Sequence, residues 1–278
     1  EPPRARQSTK TVDPLAWRLR EVEASTYLNQ VAEQLRAAGL TVEEALVEGD
    51  AASTIIEYAT THEVNLLLLN SHGHTDISEW NVSSVVSKIL QSSCVSIMIV
   101  RAFRVTPTDE EVVYRKMLVP LDGSRRAESA LPVATHLAER GDATLLLAHV
   151  VKTPDMPRRT PLSEEAQALI EQLVSHNQRE MQEYLDRFET RLTPTPQTHI
   201  VVSEDVADSL HRLIDDEKVD LLVLCAHGHS GSRRWPLGTV ATNLILYGAA
   251  PVLVIQDLPA GSLEPSRAAA AAQEFQGR

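Results

Sequence analysis

The sequence predicts an α/β protein made of two tandem, doubly wound parallel five-stranded sheets, the first lacking its opening β-α-β unit. Three observations carry this expectation. Apolar strand-like runs alternate with helical stretches along residues 116–258. The two halves are copies of one another. Nothing in the first half corresponds to residues 117–151 of the second.

The duplication holds at a constant offset of 155 residues. Asp50 falls on Asp205, Ile55 on Leu210, Val64 on Val219, and His72-Gly73-His74 on His227-Gly228-His229. Trp80 lands on Trp235 without a gap. Chance supplies apolar matches, but not the two HGH triplets and the tryptophans in one register.

In the second half, residues 117–121 read as a short apolar strand ending in Asp122-Gly123-Ser124, a turn and cap signal. A helix is expected over 128–140 and a strand over 144–151. A long helix runs through Ile170, Leu173, Met181, Tyr184, Phe188 and Leu192, which return to one face. There follow a strand near 199–202, a helix over 207–216 and a strand over 220–225. A helix over 239–247 and a last strand over 251–256 complete the half. Strands buried between helices on both faces read as continuous apolar runs, as these do.

The first half opens with one long helix over 14–38, with Asp13 as cap and Pro14 at its first position. Leu15, Leu19 and Val22 form one apolar stripe, and Leu28, Val31 and Leu35 another. Strands are expected at 42–46, 66–69 and 97–100. The last of these matches 252–255, and the two are expected to pair antiparallel about a pseudo-twofold axis. A sheet with strands 1 and 2 missing leaves a hole. A segment upstream of Glu1, or another chain, is expected to supply them. Domain limits are set at 1–102, a linker at 103–115, 116–258, and a tail at 259–278.

Composition narrows the function. Of 278 residues, 43% are hydrophobic and 23% charged, a globular profile rather than a disordered one. The longest apolar runs fall far short of the roughly 20 residues of a membrane span. No secretory signal is visible at the start of the chain, so a cytoplasmic place is expected. Two cysteines cannot form a disulfide framework or a four-thiolate zinc site. A net charge of −12 opposes nucleic-acid binding, which needs clustered Lys and Arg.

The unusual residues of the second half gather in one loop, from Cys225-Ala226-His227-Gly228-His229 to Leu237-Gly238-Thr239. A strand ends there and a helix begins. Backbone NH groups at a helix start, unobstructed at Gly238, suit a phosphate, and Arg233 and Arg234 add positive charge. A glycine-rich turn before an ordinary helix reads the same way. There is no G-x-x-x-x-G-K-[ST] pattern, so a P-loop NTPase is excluded.

The segment KMLVPLDGSRRAESAL, the strand LLLAHVV, and LCAHGH followed by Gly238-Thr239 resemble the universal stress protein family. The resemblance covers nearly all of 116–257 and, less completely, 14–102. Its fold is the adenine-nucleotide alpha-hydrolase-like α/β arrangement, with strand order 3-2-1-4-5. ATP-binding members carry G-x2-G-x9-G-[ST]. Gly228, Gly238 and Thr239 match that signature, while Cys225 stands at its first glycine. By position, the resemblance implies that Pro120, Leu121 and Asp122 line the adenine and ribose end and that Val150 lies against the base. Gly228, Gly238, Thr239 and Val240 would hold the phosphates. Asp122 also reads as a helix cap and Val150 as core. In the first half Asn70 replaces the first glycine and Ser83-Ser84 replace Gly238-Thr239, leaving Gly73, so that half is read as a non-binding partner.

The function implied is a stress-response regulatory protein that binds ATP or another adenine nucleotide in its second half, with or without magnesium, and forms a homo-oligomer. The alternative, favoured by Cys225, is a family member that binds no nucleotide and acts as a protein interaction module. A slow ATPase needs a base and metal ligands that the sequence does not identify. A metal site at His72, His74, His227 and His229 lacks accompanying Cys or carboxylate ligands in a recognisable spacing. Trp80, Trp235 and Cys225 read as packing residues, and 267–273 as a short helix or disordered tail.

Overall fold

The computed structural model describes residues 14–72, 82–101, 112–154, 163–229 and 236–257. Asp13, Gly73, His74, Trp80, Arg233, Arg234, Trp235 and the tail lie outside these residues, as does most of the proposed linker. The chain forms two compact units, residues 1–54 and 55–278.

In the first unit, α1 spans Pro14–Ala37. It stops at Gly39, whose φ of 88° is the left-handed conformation glycine adopts without steric cost. Of the two expected apolar stripes, Leu15, Leu19, Val22 and Leu35 are exposed, and Ala32 is the helix's buried residue. The Arg36 guanidinium donates to Val42 O and to Glu44 Oε1, at 2.8 and 2.9 Å.

The strand expected at 42–46 does not form. The reason is pairing. Its counterpart in the second half pairs with the second strand of that half, and the described residues of the first half include no equivalent of that strand. Backbone with no ladder partner has no cause to extend as a strand. Asp50 then accepts hydrogen bonds from Ser53 N and Ser53 Oγ at the start of α2, Ala51–Thr61.

Among its described residues the second unit carries a seven-stranded sheet. Its strands are β1 Leu66–Asn70, β2 Ser96–Val100, β3 Lys116–Pro120, β4 Thr144–Lys152, β5 Gln197–Ser203, β6 Leu221–Cys225 and β7 Val252–Ile255. Their order is β1-β2-β7-β6-β3-β4-β5. Every pairing is parallel except β2 with β7. Numbered within the second half, its five strands follow the expected 3-2-1-4-5 order. The first half adds two strands to the same sheet.

The antiparallel junction agrees with the expectation for 97–100 and 252–255. Ile97 pairs with Val254, Met98 with Leu253, and Ile99 with Val252. Met98 and Leu253 are equivalent residues of the duplication, so the pseudo-twofold axis passes between them.

The helices are α3 Ser84–Ser92, α4 Leu131–Gly141, α5 Glu164–Glu189, α6 Val206–Asp216 and α7 Thr239–Tyr247. A short 3-10 turn, Ala127–Ala130, precedes α4. The helix expected from 128 starts at Leu131 because Pro132, which has no NH to donate, sits in its first turn. One sheet face buries Met117, Val119, Leu145, Leu147, Leu221, Val223 and Leu253 under Leu131, Ala134 and Ala138 of α4 and Leu185 of α5. Tyr184, Phe188 and Leu192 pack at the margin of this core, whereas Leu173 is exposed and Leu192 lies beyond the helix end. Helix α6 contacts α7, β4 and β5. None of the described helices is long and apolar enough to cross a membrane.

Candidate nucleotide site at the carboxyl ends of β3 and β6

Parallel strands β3 and β6 are neighbours that continue in opposite directions through the sheet order, so a crevice opens beyond their carboxyl ends. Three segments enter it. After β3, Leu121 N donates to Ala148 O at 2.8 Å, and the chain turns at Asp122. Ser124 N donates to Asp122 Oδ1 at 3.0 Å across Gly123, whose φ is 81°. Ser124 Oγ accepts from Ala127 N at 3.1 Å, and Arg126, not Asp122, is the N-cap of the 3-10 turn, with no side-chain cap bond. This corrects the helix-cap reading of Asp122.

Asp122 instead reaches across the crevice, where Oδ2 accepts from His229 N at 2.5 Å. Gly228 makes this possible, since a Cβ there would collide with the same carboxylate. Burial pushes the Asp122 carboxyl upward. Hydrogen bonds from the Ser124 hydroxyl, His229 NH and Ser124 NH outweigh that and hold it below its ordinary value.

The third segment begins α7. Gly238 N donates to Ala226 O at 2.7 Å and brings the helix start back against the end of β6. Gly238 is the N-cap, and no side chain caps the helix. A Cβ on Gly238 would come no nearer than 3.4 Å to Ala226 O, so the fold tolerates a larger residue while the approach to the helix amides narrows.

All eight residues implied at the sequence level line one cavity of about 370 Å³: Pro120, Leu121, Asp122, Val150, Gly228, Gly238, Thr239 and Val240. That size lies within the roughly 300–1,000 Å³ of small-molecule sites. Residues missed from sequence also line it, among them His149, Val206, Leu210 and His227. Val206 and Leu210 come from α6, a helix that was expected over 207–216 but whose position over the crevice was not. His149 Nδ1 donates to Leu121 O at 2.7 Å, fixing the ring against the turn.

Cys225, at the first-glycine position, is buried in the wall, its Sγ 3.4 Å from Ser129 Oγ. Burial raises its thiol pKa, which opposes a nucleophilic role. Behind it, His227 Nδ1 donates to Asp257 Oδ1 at 2.7 Å, and Arg126 Nε donates to Asp257 Oδ2. Burial acts upward on Asp257, but the His227 and Arg126 contacts prevail and lower its pKa. The pair ties the turn after β3 to the end of β7.

The equivalent place in the first half keeps the backbone pattern and changes the cap. Ser83 N donates to Ser71 O at 2.8 Å, as Gly238 N does to Ala226 O. Ser83 Oγ, however, accepts from Val86 N at 3.3 Å and caps α3. His72 Nδ1 lies 3.1 Å from Ser71 Oγ. Among the described residues no three His, Cys, Asp or Glu gather as a metal cage.

The fold and crevice define a doubly wound α/β protein with a ligand-sized cavity at the reversal of strand order. The universal stress protein family model matches residues 2–101 and again 113–256, and the chain belongs to that family. Universal stress protein MJ0577 of Methanocaldococcus jannaschii is 24% identical over 162 residues, 52% of this chain and 96% of that protein. Universal stress protein MJ0531 of the same organism is 29% identical over 148 residues, 52% and 84% of the two chains. A crystal structure of a universal stress protein from Archaeoglobus fulgidus DSM 4304 matches with a TM-score of 0.59 at 19% identity. It covers 90% of this chain and 84% of that one, a likeness of fold.

Proposed function

We propose that this protein is a cytoplasmic stress-response regulator that binds one adenine nucleotide, ATP foremost, in the cavity of its second half. The observation that carries the reading is the junction of that cavity with an α-helix start capped by glycine alone. The cavity wall supplies Val150, Val206, Leu210 and Leu224 for a flat apolar base. Asp122, ionised at neutral pH and able only to accept, suits ribose hydroxyls, which donate. The NH groups at the start of α7, with Gly228 and Gly238 beside them, suit phosphate oxygens.

Among the described residues Asp122 is the one carboxylate lining the cavity, so a magnesium ion would be held mainly by the phosphates. Bound magnesium would neutralise phosphate charge. The chain's own groups position the base and ribose.

We assign the domains as 1–102 and 116–258, with a linker at 103–115 and a tail at 259–278. Two cysteines, too few for a disulfide framework, fit a reducing compartment. A net charge of −12 disfavours nucleic acid as the partner, and a homo-oligomer is the expected assembly. The second reading, an interaction module without nucleotide, draws on the Cys225 side chain in place of the first glycine. Chromatography of the small molecules released from purified protein on denaturation tests the proposal. Adenine nucleotide near one equivalent supports it. Protein that carries none and takes up none when ATP is added favours the interaction module.

A further inference from the structure

Helix α7 presents the amino end on which the nucleotide reading depends, and its carboxyl end is held from the other half of the duplication. The last four carbonyls of a helix, here those of residues 244–247, have no partner within it. Gly248 N donates to Leu244 O at 3.0 Å. Arg101, the residue after β2, donates from its guanidinium to Ile245 O and from Nε to Ala250 O, the latter at 3.3 Å. Arg101 is 1% exposed, so its charge is withdrawn from solvent and lies against the negative end of the α7 dipole.

The β2–β7 junction also reaches the approach to α7. Gln256, the residue after β7, donates from Nε2 to Pro236 O at 3.2 Å, two residues before Gly238. Its own N donates to Ser96 Oγ of β2 at 3.1 Å. The ends of two antiparallel strands, one from each half, therefore grip the two ends of one helix.

The duplication shows that this grip is one-sided. At the offset of 155 residues, Gln256 is the equivalent of Arg101, and α3 is the equivalent of α7. Helix α3 closes in the same backbone manner, with Ser93 N donating to Ile89 O at 2.8 Å. Gln256, however, carries no charge to place at the end of α3, and its amide turns to Pro236 instead. The cation is given to the helix whose amino end is bare, and the helix capped by Ser83 has an uncharged residue in its place.

We propose that Arg101 is a positioning residue of the nucleotide site. Among the described residues, every one that lines the cavity belongs to the second half. The first half acts on that cavity through Arg101, which fixes where α7 lies and so where its first NH groups meet the phosphates. The inference rests on the nucleotide reading for its ligand, but not for the clamp on α7.

Arg101→Gln and Arg101→Lys are compared with Leu185→Ala, which truncates a buried core residue of α5 that does not line the cavity. Circular dichroism confirms that each variant is folded. Arg101→Lys, the milder change, carries the same comparison if Arg101→Gln does not fold. Calorimetric titration is expected to show ATP affinity about tenfold weaker in Arg101→Gln, intermediate in Arg101→Lys, which keeps the cation, and unchanged in Leu185→Ala despite its lower stability. Amide hydrogen exchange without nucleotide is expected to quicken at Thr242 and Asn243 relative to α4 in Arg101→Gln, and not in Leu185→Ala. A wild type that binds no ATP refutes the nucleotide reading, and the exchange result then decides on the clamp by itself. Arg101→Gln that binds ATP as the wild type does, or that leaves α7 no faster than α4, overturns the proposal.

Discussion

The Asp122 carboxylate occupies the space that a side chain on residue 228 would need, and Gly228 is what lets it stand there. From that position it accepts from His229 N and Ser124 N, joining the turn after β3 to the loop after β6. Gly228→Ala is therefore expected to displace the carboxylate and break at least one of these bonds. The expected loss is about 1–3 kcal/mol of stability, read by denaturant titration, with loss of measurable nucleotide binding. Asp122→Ala in the same background should then add little further loss, because the two changes act on one contact.

Acid should unfold the protein through two carboxylates. Asp122 and Asp257 both have folded pKa values held below those of the unfolded chain. A depressed Asp contributes stability that is fully present above the unfolded value of about 3.9 and is lost as pH falls through the folded value. Thermal melts should be flat with respect to these groups above about pH 5 and fall below about pH 4. Asp257→Asn removes the ionised partner of His227 and Arg126, so it should lower the neutral-pH melting point and flatten the acid limb.

The two helix starts predict opposite responses. Ser83→Ala removes the α3 cap and should cost about 1 kcal/mol, with no change in nucleotide affinity. Gly238→Ser supplies a hydroxyl to α7, at a φ of −74° that any residue adopts. It should raise the melting point and weaken nucleotide binding, because the hydroxyl then competes for the amides the phosphates would use. Paired melts and titrations on the two variants check both.

Arg101 is buried at the end of β2, where its guanidinium donates to Ile245 O at 2.5 Å and Ala250 O at 3.3 Å. Arg101→Ala should cost about 3 kcal/mol, since two buried carbonyls lose charged donors. Arg101→Lys should recover only part of this, having no planar fork to reach both carbonyls. Chemical denaturation of the two variants measures the difference.

What could be read in advance follows from where the information lies. The offset of 155 residues fixed the strand equivalences, and the Met98–Leu253 pairing is their direct consequence. Gly238 and Thr239 were visible because a helix start after a buried strand has a local signature. The strand expected at 42–46 failed because a strand depends on its neighbour, and apolar alternation says nothing of whether that neighbour exists. Arg101 was equally hidden, since its partners lie 144 and 149 residues away. His149, Val206 and Leu210 were missed for the same reason. They belong to ordinary strand and helix patterns, and only the sheet order brings them to one crevice.

Calorimetric titration of ATP into the wild type and into Gly238→Val tests the central claim most directly. One nucleotide per chain is predicted for the wild type, because α7 has a bare glycine cap and α3 is closed by Ser83. For Gly238→Val the prediction is no detectable binding with the fold retained. A stoichiometry near two, or normal binding by Gly238→Val, would contradict the account.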